Sequence, residues 1–236
     1  MKICVVVPIL KQKIFEEITR KELEAARRKN VEIDIVSIEK GPASIESAYD
    51  EEVAAPWILE KIKEAEERGF DAAIIDCMCD AALRGAREIA SIPVVGPCQA
   101  SMAIASTLCD RFSVVTVSRW GLPLFRRLAR EYGFESKLAS VRSVEVPVLE
   151  LDKKRGEVRA RLLAESKKAI DEDEAGAIIL GCTGMIGMAR ELQEALGIPV
   201  IDPAVASMKL AESLVDMKIS HSKLVYPKPP EKERRL

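Results

Sequence analysis

Short runs of β-branched and other apolar residues alternate along the chain with amphipathic stretches of roughly ten to eighteen residues. This alternation is typical of βα units built around a mainly parallel sheet, so the sequence predicts an α/β fold with helices flanking the sheet. Strands are predicted near residues 2–8, 31–37, 71–76, 93–95, 112–117, 141–146, 176–180 and 199–201, with helices between them.

Two stretches lack this periodicity. Residues 39–56, which contain Gly41, Pro42 and Ser44, form the longest of them, and we expect a loop that walls or covers a site. Residues 227–236 are rich in Pro, Lys and Glu, and we expect them to be disordered or to form an arm.

An internal repeat is the most informative feature, because residues 72–108 match residues 176–214 at an offset of about 105 residues. Ala-Ile-Ile at 73–75 recurs at 177–179, Ile-Pro-Val at 92–94 recurs at 198–200, and Ala-Ser-Met at 100–102 recurs at 206–208. The segments that begin at the first and fifth predicted strands agree more loosely. The repeat predicts a duplicated α/β lobe.

A cysteine ends the long apolar strand of each copy of the repeat, namely Cys77 in the first and Cys182 in the second. Ligands of open α/β sheets bind beyond the carboxyl ends of the strands, so each thiol should lie at the crevice of its lobe. Two lobes packed face to face would bring the thiols together. We also expect the helix after each cysteine to lower the thiol pKa from about 8.5 toward neutrality, the range that a general acid or base needs.

Two thiols placed in this way suit inversion at a carbon that bears an acidic hydrogen. One group removes the proton and the other delivers a proton to the opposite face. With one thiolate and one thiol at rest, each turnover exchanges their protonation states, which suits a reversible reaction. The sequence therefore predicts an enzyme that racemises or epimerises its substrate.

Composition and charge restrict the partners of the chain. Lys and Arg total 36 against 38 acidic residues, so no long-range field favours nucleic acid or an anionic membrane, and we expect a small-molecule substrate. The first apolar run is too short for a membrane span and lacks a signal-peptide cleavage pattern, so we expect a cytoplasmic protein. We expect a homo-oligomer, the commoner arrangement for enzymes of this kind.

The six cysteines are few for a disulfide scaffold and are predicted to be free thiols. Cys4 and Cys109 have apolar neighbours and no partner in the repeat, so we interpret both as small buried hydrophobes. For Cys79 and Cys98 the pattern favours neither a structural role nor a place in the site.

Two segments of the chain are the most specific motifs, namely Gly41-Pro42-Ala43-Ser44 after the second strand and Gly181-Cys182-Thr183-Gly184-Met185 after the seventh. Cys77 with Asp80, and residues 93–96 and 112–116, add to them. Together these segments resemble the hydantoin racemase branch of the aspartate/glutamate racemase superfamily, and the resemblance covers nearly the whole chain.

The resemblance implies two Rossmann-like lobes related by a pseudo-twofold axis, the first formed by residues 1–110 plus 210–236 and the second by 111–209, with the active site at their interface. It also implies catalysis by Cys77 and Cys182 without metal, pyridoxal phosphate or any other cofactor, on 5-substituted hydantoins. The expected substrate contacts are the backbone amides of Met78, Cys79, Thr183 and Gly184, the polar side chains of Thr116 and Ser118, Ser44 in the matched loop, and Asp80, which otherwise caps a helix.

The chain departs from the family pattern at two places. Pro8-Ile9-Leu10-Lys11 replaces the Asn and small hydroxyl residue that commonly follow the first strand. Cys79 stands where a glycine is usual, which allows a third thiol to point toward the site. The Thr and His or Glu that amino-acid racemases add after their cysteines are missing, which makes free aspartate or glutamate a less favoured substrate.

Five alternatives remain open. The same fold can carry a decarboxylase or a cis/trans isomerase that acts on a small carboxylic acid, and an amino-acid racemase is a further variant. A thiolate metal site could use Cys77 and Cys79 together with Cys98 or Cys182, although zinc favours two residues between paired cysteines. A non-catalytic small-molecule sensor would bind without turnover.

Overall fold

A computed structural model describes residues 1–234. The strands are β1 Lys2–Leu10, β2 Glu32–Ile38, β3 Ala72–Ile75, β4 Val94–Val95, β5 Phe112–Thr116, β6 Leu138–Ser143, β7 Ala177–Leu180 and β8 Val200–Ile201. The α-helices are α1 Lys13–Ala26, α2 Ala48–Glu67, α3 Leu83–Ile89, α4 Pro97–Leu108, α5 Gly121–Glu131, α6 Arg155–Asp171, α7 Ala189–Leu196 and α8 Pro203–Asp216. The predicted α/β class is confirmed. No helix among these residues is long and apolar enough to cross a membrane.

Two four-stranded parallel sheets repeat the same topology. Their strand orders are β2-β1-β3-β4 and β6-β5-β7-β8. The registers also correspond, since Val6 pairs with Ile75 in the first sheet and Val115 with Leu180 in the second. The duplicated lobe predicted from the repeat is therefore confirmed as two parallel sheets flanked by helices.

The central strands are apolar on both faces because helices cover both sides of each sheet. All residues of β3 and β7 are buried, as are residues 3–8 of β1. Burying each of their large side chains stabilises the fold by about 1.5–3 kcal/mol. This packing fixes the carboxyl ends of β3 and β7, which carry the two cysteines.

The last helix of each repeat crosses to the other sheet. Helix α4, which follows β4, packs against β7, and α8, which follows β8, packs against β3 and β4. The two helices also pack against each other. Both begin with a proline at the first helical position, where the missing N–H leaves no bond unmade. This exchange ties the two sheets together beside the carboxyl ends of their strands.

The predicted loop over residues 39–56 is wrong beyond Ser47, because α2 begins at Ala48 and continues through Pro56. The Ser47 hydroxyl oxygen accepts a hydrogen bond from the Asp50 backbone N–H, which caps the helix. The apolar side chains that α2 buries lie at helical spacing, namely Ala54, Ile58, Ile62 and Ala65. Their burial keeps the helix continuous through a proline that removes one backbone donor.

The bounds of β6 and the structure of the C-terminal segment can also be compared with the predictions. Strand β6 lies three residues earlier than predicted, and the chain after it still follows β5, since the Val144 and Val146 amides donate to the Thr116 and Val117 carbonyls. Residues 227–234 contain no helix or strand, as expected, and residues 235–236 lie outside the described part of the chain. The segment before this tail is anchored, because Lys223 Nζ donates to the carbonyls of Arg87 and Ala90.

Gly181, directly before Cys182, lies so close to β5 that it has no room for a side chain. A Cβ there would lie 2.6 Å from Thr116 Cβ and 2.7 Å from Thr116 Cα. We expect Gly181→Ala to lower the free energy of unfolding by about 1–3 kcal/mol, because the strand backbone must shift. Denaturant unfolding measures this. The control is Gly156→Ala, whose Cβ meets nothing within 4 Å; equal effects of the two substitutions would contradict the prediction.

Candidate active site

Cys77 and Cys182 follow β3 and β7 and line the same cavity, which has a volume of about 70 Å³. The backbone turns in the same way after each cysteine, since the Asp80 amide donates to the Cys77 carbonyl at 3.0 Å and the Met185 amide to the Cys182 carbonyl at 3.1 Å. The pseudo-equivalence of the two cysteines in the repeat is therefore an equivalence of local structure. Both cysteines therefore border the same space.

The cavity wall is mainly apolar. Its apolar members are Val7, Pro8, Ile9, Phe15, Ile45, Val148, Leu149 and Leu151. Ile45 comes from the loop before α2, so this loop does form part of a wall. The acidic members are Asp76 and Asp152, and among the described residues no Lys, Arg or His lines the cavity. The cavity therefore favours a ligand that carries no negative charge.

Thr183 and Gly184 line the cavity and shape the surroundings of Cys182. Thr183 Oγ1 donates to the Asp76 carbonyl at 3.1 Å, which links the ends of β7 and β3. The Gly184 backbone N–H donates to the Cys182 sulfur. A Cβ on Gly184 would lie 2.9 Å from Leu151 Cδ1 and 3.4 Å from Cys182 Sγ, so a glycine allows this close approach.

The other residues predicted as substrate contacts are not among those that line the cavity. Ser44 Oγ donates to Glu46 Oε2 at 2.9 Å, and Thr116 Oγ1 donates to the Gly181 carbonyl at 3.1 Å. The Ser118 carbonyl accepts from the Gly121 amide, and Met78 is buried in the core around β3.

Asp80 is buried and its carboxylate is fully engaged by protein groups. One oxygen accepts from the Cys98 amide, and the other accepts from the Gln99 amide and from the Tyr132 hydroxyl. Burial raises the pKa of Asp80 to about 6, against the lowering effect of these donors. Asp80 thus caps α4, although α3 and β4 lie between them in the sequence.

Cys79 contacts the site through Cys77. The two sulfurs lie 3.1 Å apart, while Cys79 itself is buried. The hydrogen bond with Cys77, together with burial, raises the pKa of Cys79 well above its usual value. Cys98 is also buried, at the start of α4. Cys4 is buried within β1, and Cys109 lies half-buried at the end of α4 and donates to the Arg111 carbonyl.

The electrostatics of Cys182 differ from the prediction of a lowered thiol pKa. Burial raises the pKa of Cys182 to about 12, and the N–H of Gly184 offsets only part of this effect. The expected help from a helix N-terminus is missing because α7 begins only at Ala189, and a single 3₁₀ turn, Thr183–Met185, follows the cysteine directly. Cys182 is therefore a protonated thiol near neutral pH.

Asp76 is a cavity residue that the sequence analysis did not single out. It is 3% exposed, and neither of its carboxylate oxygens has a hydrogen-bond partner among the described residues. Burial, with a contribution from Asp202, raises the pKa of Asp76 to about 7. The sequence did contain a signal for this residue. Asp76 is a charged residue at the end of an apolar strand, and the equivalent position in the second repeat is Gly181.

Comparison with known proteins gives consistent matches. The sequence model of the Asp/Glu/Hydantoin racemase family matches residues 14–211. A hydantoin racemase from a Pseudomonas species is 42% identical over 210 residues, which cover 89% of this chain and 84% of that protein. A hydantoin racemase from Rhizobium meliloti is 40% identical over 190 residues, 79% of each chain. The solved structure of allantoin racemase from Klebsiella pneumoniae superposes with a TM-score of 0.94 at 35% identity, over 98% of this chain and 95% of that one.

These matches extend over both lobes. Residues 14–211 include β2 to β8 and both cysteines of the cavity. The high TM-score is consistent with the same arrangement of the two sheets. The chain therefore belongs to the Asp/Glu/hydantoin racemase family, and it is a racemase.

Proposed function

We propose that the enzyme inverts the configuration at carbon 5 of 5-substituted hydantoins, with Cys77 and Cys182 as the two proton-transfer groups. The observation that carries the proposal is that pseudo-equivalent cysteines from two different sheets line one small cavity. Thiols can serve as general bases and acids, and each such group accelerates a reaction by typically 10²–10⁴-fold.

The proton and electron balance closes within the two thiols and the substrate. One thiolate removes the hydrogen of carbon 5, and the electron pair of that bond moves into the neighbouring ring carbonyl to form an enolate. The other thiol delivers a proton to the opposite face as the carbonyl re-forms. Because burial keeps Cys182 protonated, Cys182 is the proton donor in the resting enzyme.

The lining of the cavity supports a neutral ring as the substrate. A dicarboxylic amino acid or a malonate would bring its negative charge beside Asp76 and Asp152 and would meet no cationic side chain among the described lining residues. A buried charge without a partner costs several kcal/mol. The relatives named hydantoin racemase and allantoin racemase act on neutral cyclic ureides by their names. The charge of the cavity thus disfavours free aspartate, free glutamate and the malonate-type acids of a decarboxylase.

The apolar wall supports a preference among hydantoins. Aliphatic and aromatic side chains surround the cavity, including Phe15, Val148 and Leu151. The cavity is small, with a volume of about 70 Å³, which limits the size of the substituent that it accepts. We therefore propose that hydantoins with a small apolar group at carbon 5 are better substrates than those with a polar group, such as allantoin with its ureido group.

The test is hydrogen–deuterium exchange at carbon 5 in heavy water, with optical rotation followed on the same samples. We expect L- and D-hydantoins with apolar substituents to exchange and to lose rotation together. The double variant Cys77→Ala, Cys182→Ala should fall to the spontaneous rate, whereas Cys109→Ala, which alters a thiol outside the cavity, should keep wild-type activity. Exchange no faster than the spontaneous rate on every hydantoin would overturn the substrate assignment.

A further inference from the structure

We propose that Asp76 binds the substrate by accepting a hydrogen bond from a ring N–H of the cyclic ureide, and that this contact fixes which way round the ring lies between the two cysteines. The proposal rests on the proposed function and deepens it. It assigns the specificity of the site for N–H-bearing rings to one residue.

The carboxylate of Asp76 is buried without a hydrogen-bond partner among the described residues. Asp76 lines the cavity and is 3% exposed, and no group of the described residues donates to either oxygen. An unpaired buried polar group costs about 1–3 kcal/mol, and a charged one costs more. The other buried carboxylate nearby, Asp80, has three protein donors. A ligand with an N–H group would supply the hydrogen-bond donor that Asp76 lacks among the described residues.

The two lobes differ at the residue that precedes each cysteine. Asp76 and Gly181 occupy equivalent positions, since their amides donate to the carbonyls of Val6 and Val115, each at 2.8 Å. At Gly181 the close approach of Thr116 excludes any side chain. Of the two residues that directly precede the cysteines, only Asp76 therefore carries an acceptor. A ring held at this acceptor has one orientation between the thiols rather than two.

The chemistry of hydantoins suits a hydrogen-bond acceptor in the plane of the ring. A hydantoin has two N–H groups in the plane of its ring, one beside carbon 5 and one between the two carbonyls. The enantiomers share this plane and differ in the face on which hydrogen stands at carbon 5. A contact in the plane therefore holds both enantiomers equally and leaves both faces open to the thiols. Carboxylates suit this role because a hydrogen bond to a charged group contributes about 1.5–3 kcal/mol.

The first experiment measures binding without turnover. The probe is 5,5-dimethylhydantoin, which keeps both N–H groups but has no hydrogen at carbon 5 to remove. Calorimetric titration should give a dissociation constant at least about tenfold higher for Asp76→Ala than for wild type, with Asp76→Asn between them because its amide oxygen still accepts. The control Asp110→Ala, at an exposed site, should match wild type. Equal affinities of Asp76→Ala and wild type would overturn the proposal, whether or not the enzyme racemises hydantoins.

The second experiment separates substrate binding from proton transfer. Exchange rates are measured on a 5-substituted hydantoin and on its N1-methyl and N3-methyl derivatives. We expect wild type to exchange one of the two methyl derivatives slowly, and Asp76→Ala to exchange that derivative at the same slow rate. The exchange rate of the parent hydantoin should fall by about 10–100-fold in Asp76→Ala, mainly through a higher KM. An equal loss on all three substrates would assign Asp76 to proton transfer or to structure and would overturn the proposal.

Discussion

Alanine at Cys77 alone, or at Cys182 alone, should greatly slow racemisation and yet leave deuterium exchange of one enantiomer. A single remaining thiol can remove the hydrogen that faces it and return a deuteron to the same face. It cannot reach the opposite face, so the configuration is retained. We expect racemisation to fall by about 10²–10⁴-fold in each variant, because one general acid or base is lost.

The two variants should be complementary. Cys182→Ala keeps exchange of the enantiomer whose hydrogen faces Cys77, and Cys77→Ala keeps exchange of the other. Proton NMR at carbon 5 and polarimetry on the same sample measure the two processes, and Cys109→Ala serves as the thiol control. The two-thiol mechanism would be wrong if both variants exchanged the same enantiomer, or if one of them still racemised at the wild-type rate.

The inequality between the thiols has a defined kinetic signature. Enantiomers are equally stable, so kcat/KM must be equal in the two directions at every pH. A difference between the two directions, caused by the raised pKa of the buried Cys182, can therefore appear only in kcat and KM separately. Exchange in Cys77→Ala relies on the Cys182 thiolate and should increase with pH through the neutral range, since a larger fraction of a weakly acidic thiol is then ionised.

The sequence was sufficient to place the two cysteines. Apolar strands that are buried on both faces leave a clear pattern, and the repeat makes Cys77 and Cys182 equivalent positions within the sequence itself. The ends of parallel strands then form the crevice by topology alone. These inferences depend on local pattern and connectivity, which a sequence carries directly.

The remaining features depend on packing between distant segments. The capping of α4 by Asp80 joins residues that periodicity cannot connect, and α2 continues through Pro56 because of apolar contacts made by its buried face. The pKa of Cys182 follows from burial rather than from a neighbouring helix. The exposure of Asp76 to the cavity likewise follows from tertiary packing. Such features need the three-dimensional arrangement, and the active site contains several of them.

Asp76→Asn should gain stability relative to wild type as the pH rises from about 4 to about 7. Burial and the neighbouring carboxylate of Asp202 raise the pKa of Asp76 from 3.8 to about 7 in the folded protein. Between these values the folded state holds a proton that the unfolded state has released, so the stability of the wild type is full below about pH 4 and falls as the pH rises to about 7. The difference between pKa values of 3.8 and about 7 corresponds to an upper limit of about 4 kcal/mol.

The measurement is the free energy of unfolding by urea for wild type, Asp76→Asn and the surface control Asp110→Asn between about pH 4 and pH 8. The test compares how the free energy of unfolding changes with pH. The Asn amide has its own unpaired groups, and these change the free energy of unfolding by the same amount at every pH. A difference between Asp76→Asn and wild type that stays constant, or that shrinks as pH rises, would contradict the prediction. Saturating 5,5-dimethylhydantoin should reduce the difference at alkaline pH, since a ligand that bonds the carboxylate stabilises the wild type more than the variant. The instability of the free enzyme and the affinity for a ring N–H would then have the same origin, a buried carboxylate whose partner is the substrate.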